Sequence, residues 1–317
     1  MNSPASSLLA GFLLDLCLGD PRCLPHPIRG FGALAGKLES FGRKAGRRMG
    51  LRWAGIGFAL VAIGAAASVV GLSLRAASLW SWAAEAVAVY WIYAMLALRD
   101  LDAQAGAVVR RLGDGDLPGA RKQLANIVGR DTENLEEPEI LRAAIETVSE
   151  NLSDGVVAPL LYFGLAGPVG MAVYKAANTL DSLVGYTDER YLEFGWASAR
   201  IDDALNFLPA RISAGLIWAA AGLLGLNLPR SVSAVWSDAS KQPSPNAGYP
   251  EAAVAGALGI RLGGLNYYRG VARVKPFLGE PIHPLSARTF QQARKILYAS
   301  SVFMAAAVTG WLAASGG

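Results

Sequence analysis

The chain has 317 residues and a net charge of +4, with 53% hydrophobic and only 17% charged residues. A typical soluble domain carries about 25% charged residues, and the mean hydropathy of +0.32 points the same way, against an ordinary water-soluble domain. Two cysteines and two histidines also exclude a zinc framework or a disulfide scaffold.

In chain order, the first apolar run is 8–18. It is short and contains Asp15, so it reads as an interfacial helix or a sixth span, and it lacks the basic segment of a signal peptide. Cys17 and Cys23 fall in and after it and read as packing residues. A basic cluster follows: Lys37, Arg43, Lys44, Arg47, Arg48 and Arg52. It immediately precedes an uncharged run, 53–74, and the positive-inside rule places it in the cytoplasm without any need for nucleic-acid binding. "GALAGKL" (32–38) is one residue short of a phosphate-binding P-loop and lacks the following Ser/Thr.

Runs of 18 or more apolar residues are the signature of a bilayer-spanning helix. Such runs lie at 53–74, 155–174, 212–229 and 296–314, and a Trp/Tyr-rich fifth at 76–98 is broken only by Glu85. The expected fold is therefore all-α: one polytopic membrane domain over 1–317, with about five or six spanning or re-entrant helices. A tight hairpin is predicted at Arg75. Residues 99–154, with seven basic and twelve acidic side chains, are predicted to form helical cytoplasmic structure. Within them "LGDGDLPGA" (112–120) reads as a turn, and Pro138 marks the first turn of a helix. Pro159, Pro168 and four glycines interrupt 155–174. Breaks of this kind are tolerated at membrane depth where they line a cavity, so a re-entrant or kinked segment stands beside a simple span. Residues 230–295, with nine basic and three acidic residues, are also expected in the cytoplasm.

Several polar groups could carry chemistry. Glu146, Glu150 and Asp154 recur every four residues, on one helix face. Alone, that stripe reads as a solvated helix; running straight into an apolar segment, it becomes a functional candidate. In "RIDDALNFLPAR" (200–211), Asp202, Asp203 and Asn206 offer oxygens of the kind that hold Mg²⁺, and a capped helix entry accounts for them equally well. In "ANIVGRDTENL" (125–135), Arg130 offers a phosphate-matching fork and Asp131 or Thr132 a helix cap. "YKAANTLDSLVGY" (174–186) places Lys175, Asn178, Thr179, Asp181 and Ser182 at the end of an apolar run. The loop 241–253 could line a site with backbone amides. His26 and His283 each precede a proline, and hydrogen bonding within the structure is the plain reading of both.

Taken together, "LLDLCLGDPRCLPHPIRGFG", "IVGRDTENL", "RAAIETVSENLSDGVVAPLLY", "YKAANTLDSLVGY", "ASARIDDALNFLPAR" and "SPNAGYPEAAVAGAL" resemble the CobD/CbiB family of cobalamin biosynthesis, over about residues 8–295. The resemblance implies an adenosylcobinamide-phosphate synthase, a carbon–nitrogen ligase of the prokaryotic inner membrane. It would join adenosylcobyric acid to (R)-1-aminopropan-2-ol phosphate, with ATP as co-substrate and Mg²⁺. On that resemblance, Glu146, Glu150 and Asp181 are the catalytic candidates, and Asp154, Asp202 and Asp203 the metal candidates. The substrate-binding candidates are Asp20, His26, Arg29, Arg130, Asp131, Thr132, Asn151, Lys175, Asn178, Thr179, Ser182, Arg211, Ser244, Asn246 and Glu251. The partners implied are the two substrates and the lipid bilayer, with no nucleic acid; a homo-oligomer or a complex with other late enzymes of the pathway stays open. Because ATP is cytoplasmic, 99–154, 175–207 and 230–295 should share that side, with positions 188 and 240 labelled from it. Two rivals remain: a Mg²⁺-dependent membrane transferase acting on a diphosphate, and a transporter with a broken helix.

Overall fold

The computed structural model describes residues 3–21 and 26–315, so Cys23 lies outside the described residues. Among the described residues the elements are helical apart from one hairpin: α1 (Pro4–Leu18), α2 (Pro27–Met49), α3 (Leu51–Ala77), α4 (Ser81–Met95), α5 (Leu98–Gly113), α6 (Leu117–Leu124), α7 (Glu137–Leu152), a π turn (Ser153–Val157), α8 (Ala158–Val184), α9 (Trp196–Leu223), α10 (Leu228–Asp238), α11 (Gly248–Leu258), strands β1 (Leu262–Tyr268) and β2 (Val271–Leu278), and α12 (Ala287–Ala314). The chain is essentially all-α. Five stretches are long and apolar enough to cross a membrane: Leu51–Ala77, Ser81–Gly113, Glu137–Val184, Trp196–Leu223 and Ala287–Ala314. α1, at 15 residues, extends about 22 Å at 1.5 Å per residue, short of the roughly 30 Å hydrocarbon core.

The chain divides into two compact units. The first comprises Met1–Ala97, Ala158–Asn206 and Ala305–Gly317. Its core gathers Ala54, Phe58, Ala59 and Ala62 of α3 with Leu180 and Val184 of α8 and Phe194. Alanine and glycine on α3 let backbones approach, as membrane helices require: a Cβ at Gly55 would lie 2.0 Å from the Phe194 carbonyl oxygen. Arg43 of α2 pairs with Glu39 at 2.7 Å and lies over the Phe194 ring at 4.6 Å. Part of the basic cluster is thus spent on packing.

α8 is where the apolar run 155–174 breaks. Ala166 (φ −148°, ψ 24°) and Gly167 (φ 61°, ψ −156°) leave the helix, and Pro168 follows. Gly167 occupies a region open in practice only to glycine, while Pro168 brings no N–H to the interrupted ladder. The break is a reversal. In a straight helix residues 162 and 170 would stand about 12 Å apart; in α8 a Cβ at Gly170 would lie 2.3 Å from the Tyr162 carbonyl oxygen. Tyr162 also stacks on Tyr174, twelve positions later, with ring centroids 5.2 Å apart.

The second unit comprises Leu98–Val157 and Phe207–Met304. Val108, Ala120, Leu124, Leu135, Ile140 and Ala143 of α5–α7 and the α6–α7 loop form one core. α7 opens with a capping box in which Glu136 and Glu139 each accept from the other's backbone N–H, satisfying two otherwise unpaired donors. Asp102 of α5 is 2% exposed and is clamped to α12 by Arg294, with Nη2 2.7 Å from Oδ2, and by the Tyr298 hydroxyl at 2.8 Å. α10 and α11 pack closely because Gly256 has no side chain: a Cβ there would sit 2.4 Å from the Arg230 carbonyl oxygen.

Four local expectations change. α3 runs to Ala77, so the turn before α4 lies at 78–80 rather than at Arg75. A long helix, α9, begins at Trp196 and ends at Leu223 in place of a span over 212–229. Asp202 and Asp203 are therefore inside it and not at a helix entry. The third change is the hairpin at 262–278, in a loop expected to be helical or irregular. Its turn, Arg269 (φ 52°) and Gly270 (φ 77°), has both central residues left-handed, as two-residue hairpins of type I′ require. Asp131, read as a cap candidate, instead holds that turn: its Oδ1 and Oδ2 accept from the backbone N–H groups of Arg269 (3.0 Å) and Gly270 (2.7 Å).

Candidate active site

In the second unit, α7 presents carboxylates every turn to one face of the hairpin. Residues directly opposite on antiparallel strands share a face, and the pairings Gly264↔Lys275 and Asn266↔Arg273 set Asn266 and Lys275 on the face turned to α7. Glu146 is 2% exposed. Its Oε2 accepts from Arg130 Nη2 at 2.5 Å and its Oε1 from the Gly263 N–H at 2.8 Å. Arg130 also donates through Nη1 to Asn266 Oδ1 at 2.7 Å. Arg142, one turn before Glu146, donates to the Gly263 and Leu265 carbonyls. Burial opposes the charge of Arg130, but Glu146 outweighs it and holds the guanidinium above its ordinary range. A carboxylate so deep needs this matching, since a buried charge stripped of its partner is costly.

A second carboxylate closes in from α11. Glu251 is 1% exposed and accepts from Gln242 Nε2 at 2.7 Å. Burial first, then the nearby charges of Glu150 and Glu146, push its carboxyl well above the usual range; Lys275 and Gln242 oppose that shift without cancelling it. Lys275 is itself held above its ordinary value, because Glu251 and Glu150 outweigh its burial. Among the described residues, the Glu150 and Lys275 side chains have no hydrogen-bond partner. The cluster therefore contains a buried acid whose carboxyl is pushed well above its usual range, an acid and an amine with coordination to spare, and two guanidiniums already committed to the protein.

The first unit holds a separate polar group where α8 meets α9. Asp202 accepts from Asn178 Nδ2 at 3.2 Å and from Asn206 Nδ2 at 3.0 Å. Asn206 in turn accepts from the Tyr174 hydroxyl at 2.8 Å. Asp203, pointing elsewhere on the helix, pairs with Arg200 at 3.4 Å. Lys175 borders an apolar cavity of about 300 Å³ walled by Phe31, Val69, Val70, Trp91 and Met95.

Comparison with known proteins decides the family. The model of the family described as CobD/Cbib protein matches residues 8–297. The chain belongs to the CobD/CbiB family. A relative from Pelobacter propionicus named Cobalamin biosynthesis protein CobD is 44% identical over 307 residues, 96% of this chain and 94% of that one. One of the same name from Geobacter metallireducens is 44% identical over 315 residues, 98% of each. One from Leptospira interrogans is 42% identical over 291 residues, 92% of each. No solved structure matches.

The family's motifs thus fall in both units. Glu146, Glu150, Arg130 and Glu251 come together in the second, while Asp181, Lys175, Asn178 and Asp202 belong to the first. Asp181 sits in the last turns of α8, partly buried. Some candidates are absorbed by local structure. Thr132 donates to the Arg121 carbonyl, Asn151 to Thr147, Thr179 to Lys175 and Ser182 to Asn178; the last three are bonds back to a carbonyl one helical turn earlier. Ser244 accepts from the amides of Asn246 and Ala247. Arg211 donates to Asn246 Oδ1 at 3.3 Å and the Tyr249 hydroxyl at 3.1 Å, holding the 244–249 turn on α9. His26 caps α2 by accepting from the Ile28 N–H, and its Nε2 lies 3.4 Å from Asp20. Arg29 is exposed.

Among the described residues no group of three or more His, Cys, Asp or Glu side chains is arranged to hold a metal ion. Magnesium does not require one: it binds through one or two carboxylates, completing its shell with phosphates and water. Glu150 and Asp154, four residues apart on α7 and the π turn, fit that mode. Lys275 and Gln242 were not foreseen. Alternation in "LNYYRGVARVKPFL" around Arg-Gly was the available signal.

Proposed function

We propose that the chain acts in cobalamin biosynthesis as an ATP-dependent ligase, forming the amide between the carboxylate of adenosylcobyric acid and the amine of (R)-1-aminopropan-2-ol phosphate. The observation that carries this reading is the cluster of buried Glu251 with partly buried Glu150 and Lys275, in which two acids and an amine come together and the Glu150 and Lys275 side chains have no internal hydrogen bond. The family membership and the relatives' shared name support the pathway.

A carboxylate does not acylate an amine in water, so it is first phosphorylated by the nucleotide. The attacking carboxylate oxygen takes the terminal phosphoryl group and ADP leaves; the amine nitrogen then displaces inorganic phosphate and sheds a proton. Bound Mg²⁺, held by Asp154, would offset charge on the nucleotide phosphates. Lys275 stabilises charge developing on the transferred group. Glu150 orients the amine and accepts its proton. Glu251, whose carboxyl is raised by burial and by Glu150 and Glu146, takes up a proton more readily than an ordinary carboxylate and so limits the negative charge of the cluster. Arg130 and Arg142 hold the hairpin against α7, so that Lys275 stays in reach. The site would face the cytoplasm, where ATP is.

Purified protein in detergent, given cobyric acid in its adenosylated form, the amino-alcohol phosphate, ATP and Mg²⁺, is expected to yield amide product and ADP in equal amounts. Glu150→Gln should lower kcat by at least about 100-fold, within the range of a lost general base, while the protein remains inserted and folded. No product from the wild-type chain overturns the reading.

A further inference from the structure

A second cavity in the same unit lies away from the carboxylates. It measures about 360 Å³ and is lined by Arg230, Ser233, Ser237, Lys241 and Arg261, with Gly256, Gly259 and Gly279 also on its wall. That volume is within the range of small-molecule sites. Its acidic lining residues are Asp238 and Glu280. Asp238 is already engaged: it accepts from Lys241 Nζ at 2.6 Å and from the Gly279 N–H at 2.8 Å. Burial raises its carboxyl, but these two donors outweigh burial and hold it below the ordinary carboxylate range. It thereby ties the end of α10 to the end of β2, closing one wall.

The two guanidiniums are different. Among the described residues, neither the Arg230 nor the Arg261 side chain has a hydrogen-bond or ion-pair partner; Arg261 only rests over the Phe277 ring at 4.2 Å. Both are exposed, whereas Arg130, Arg142, Arg211 and Arg294 are partly buried and bonded to protein oxygens. Two guanidinium forks on a glycine-walled cavity that the Ser233 hydroxyl also lines offer the charge and donors that a phosphate group takes. We infer that this cavity binds the phosphate of a phosphorylated small molecule, with Arg230 and Arg261 as its ligands and Ser233 as a supplementary donor. The inference deepens the ligation reading and rests on it for the ligand's identity, since that reaction handles a nucleoside triphosphate and an amino-alcohol phosphate. The charge and shape of the cavity do not depend on it.

The test is calorimetric titration of the full-length protein in detergent with ATP, inorganic phosphate and phosphoethanolamine, a simple amino-alcohol phosphate. The wild type is compared with Arg230→Gln/Arg261→Gln and with Arg288→Gln, an exposed control outside the cavity. The double variant is expected to weaken at least one of these ligands tenfold or more, with the unfolding temperature and the control unchanged. Loss confined to ATP places the nucleotide here; loss confined to phosphoethanolamine places the amine substrate here. A uniform loss that includes inorganic phosphate marks a general phosphate site. If the double variant unfolds, Arg230→Lys/Arg261→Lys, which keeps charge but removes the forks, is expected to weaken binding severalfold. Wild-type affinity in the variants, no binding by the wild type, or an equal loss in Arg288→Gln overturns the proposal. The two readings separate: turnover with undiminished binding in the double variant defeats this site alone, and lost binding in a protein that forms no amide defeats only the ligation.

Discussion

At the scale of single residues, the second unit turns on two acidic side chains with opposite roles. Glu146 is matched, accepting from Arg130 and the Gly263 N–H. Removing it leaves a buried guanidinium without its counter-ion, with only Asn266 to bond, and a strand N–H without its acceptor, and breaking a buried pair from one side typically costs about 3–5 kcal/mol. Glu146→Ala is therefore expected to lower stability by about 3 kcal/mol or more, read as a clear fall in unfolding temperature in detergent, with Glu146→Gln milder. A fall no larger than that of a surface control would mean that Glu146 does not hold the hairpin to α7. Glu251 behaves in the opposite sense, since its folded pKa is raised. Its contribution to stability is complete below the ordinary carboxylate value and is lost as pH rises toward the raised one. The groups facing it are Glu146, Glu150, Lys275, Arg130 and Gln242. The wild-type unfolding temperature should decline as pH rises above the usual carboxylate pKa of about 4.3. Glu251→Gln, which has no proton to lose, should flatten that slope, and equal slopes would count against a raised Glu251 carboxyl. Glu146 and Glu150 were legible because helical spacing makes a stripe visible. Lys275 and Gln242 were not, because they reach the stripe from segments about a hundred residues away.

At the scale of elements, the reversal in α8 and the hairpin teach complementary lessons. The break near Pro168 could be read from sequence, since proline and repeated glycine in an apolar run signal a departure from helix. The sequence left a re-entrant or kinked segment open beside a simple span, because doubling back depends on contacts such as Tyr162 with Tyr174. Gly167, at φ 61° and ψ −156°, carries that reversal. Gly167→Ala places a Cβ in a strained region at a cost of order 1–3 kcal/mol, although nothing lies within 4 Å of the position. It should lower thermal stability through backbone strain alone. Gly57→Ala, in α3 and equally open, should be neutral or slightly stabilising, as glycine-to-alanine changes in helices are. Equal effects at the two positions would argue against the reversal. The hairpin failed to register because its turn is Arg-Gly rather than Asn-Gly, and because Asp131, far away in sequence, supplies the acceptors that hold it.

At the scale of the whole molecule, the reversal bears on how often the chain crosses the bilayer. The uncharged stretch before it, 155–166, extends about 18 Å as helix, well short of the roughly 30 Å hydrocarbon core. Composition counts Glu137–Val184 among five candidate spans, yet a segment that enters and turns back contributes no crossing. Its two ends then lie on one side, together with the polar loop that follows α8. A cytoplasmic site fed by ATP requires that side to be the cytoplasmic one, shared with 239–247. Asp188 is a poor reporter because its Oδ1 accepts from the amides of Arg190 and Tyr191. Glu189 and Ser240, both exposed, are better. In a chain with Cys17 and Cys23 replaced by serine, Glu189→Cys and Ser240→Cys should react with a membrane-impermeant maleimide in inside-out vesicles and stay unlabelled in right-side-out ones. Labelling of Glu189→Cys from the outer face would make 155–174 a true crossing, and would separate the α8 loop from the nucleotide.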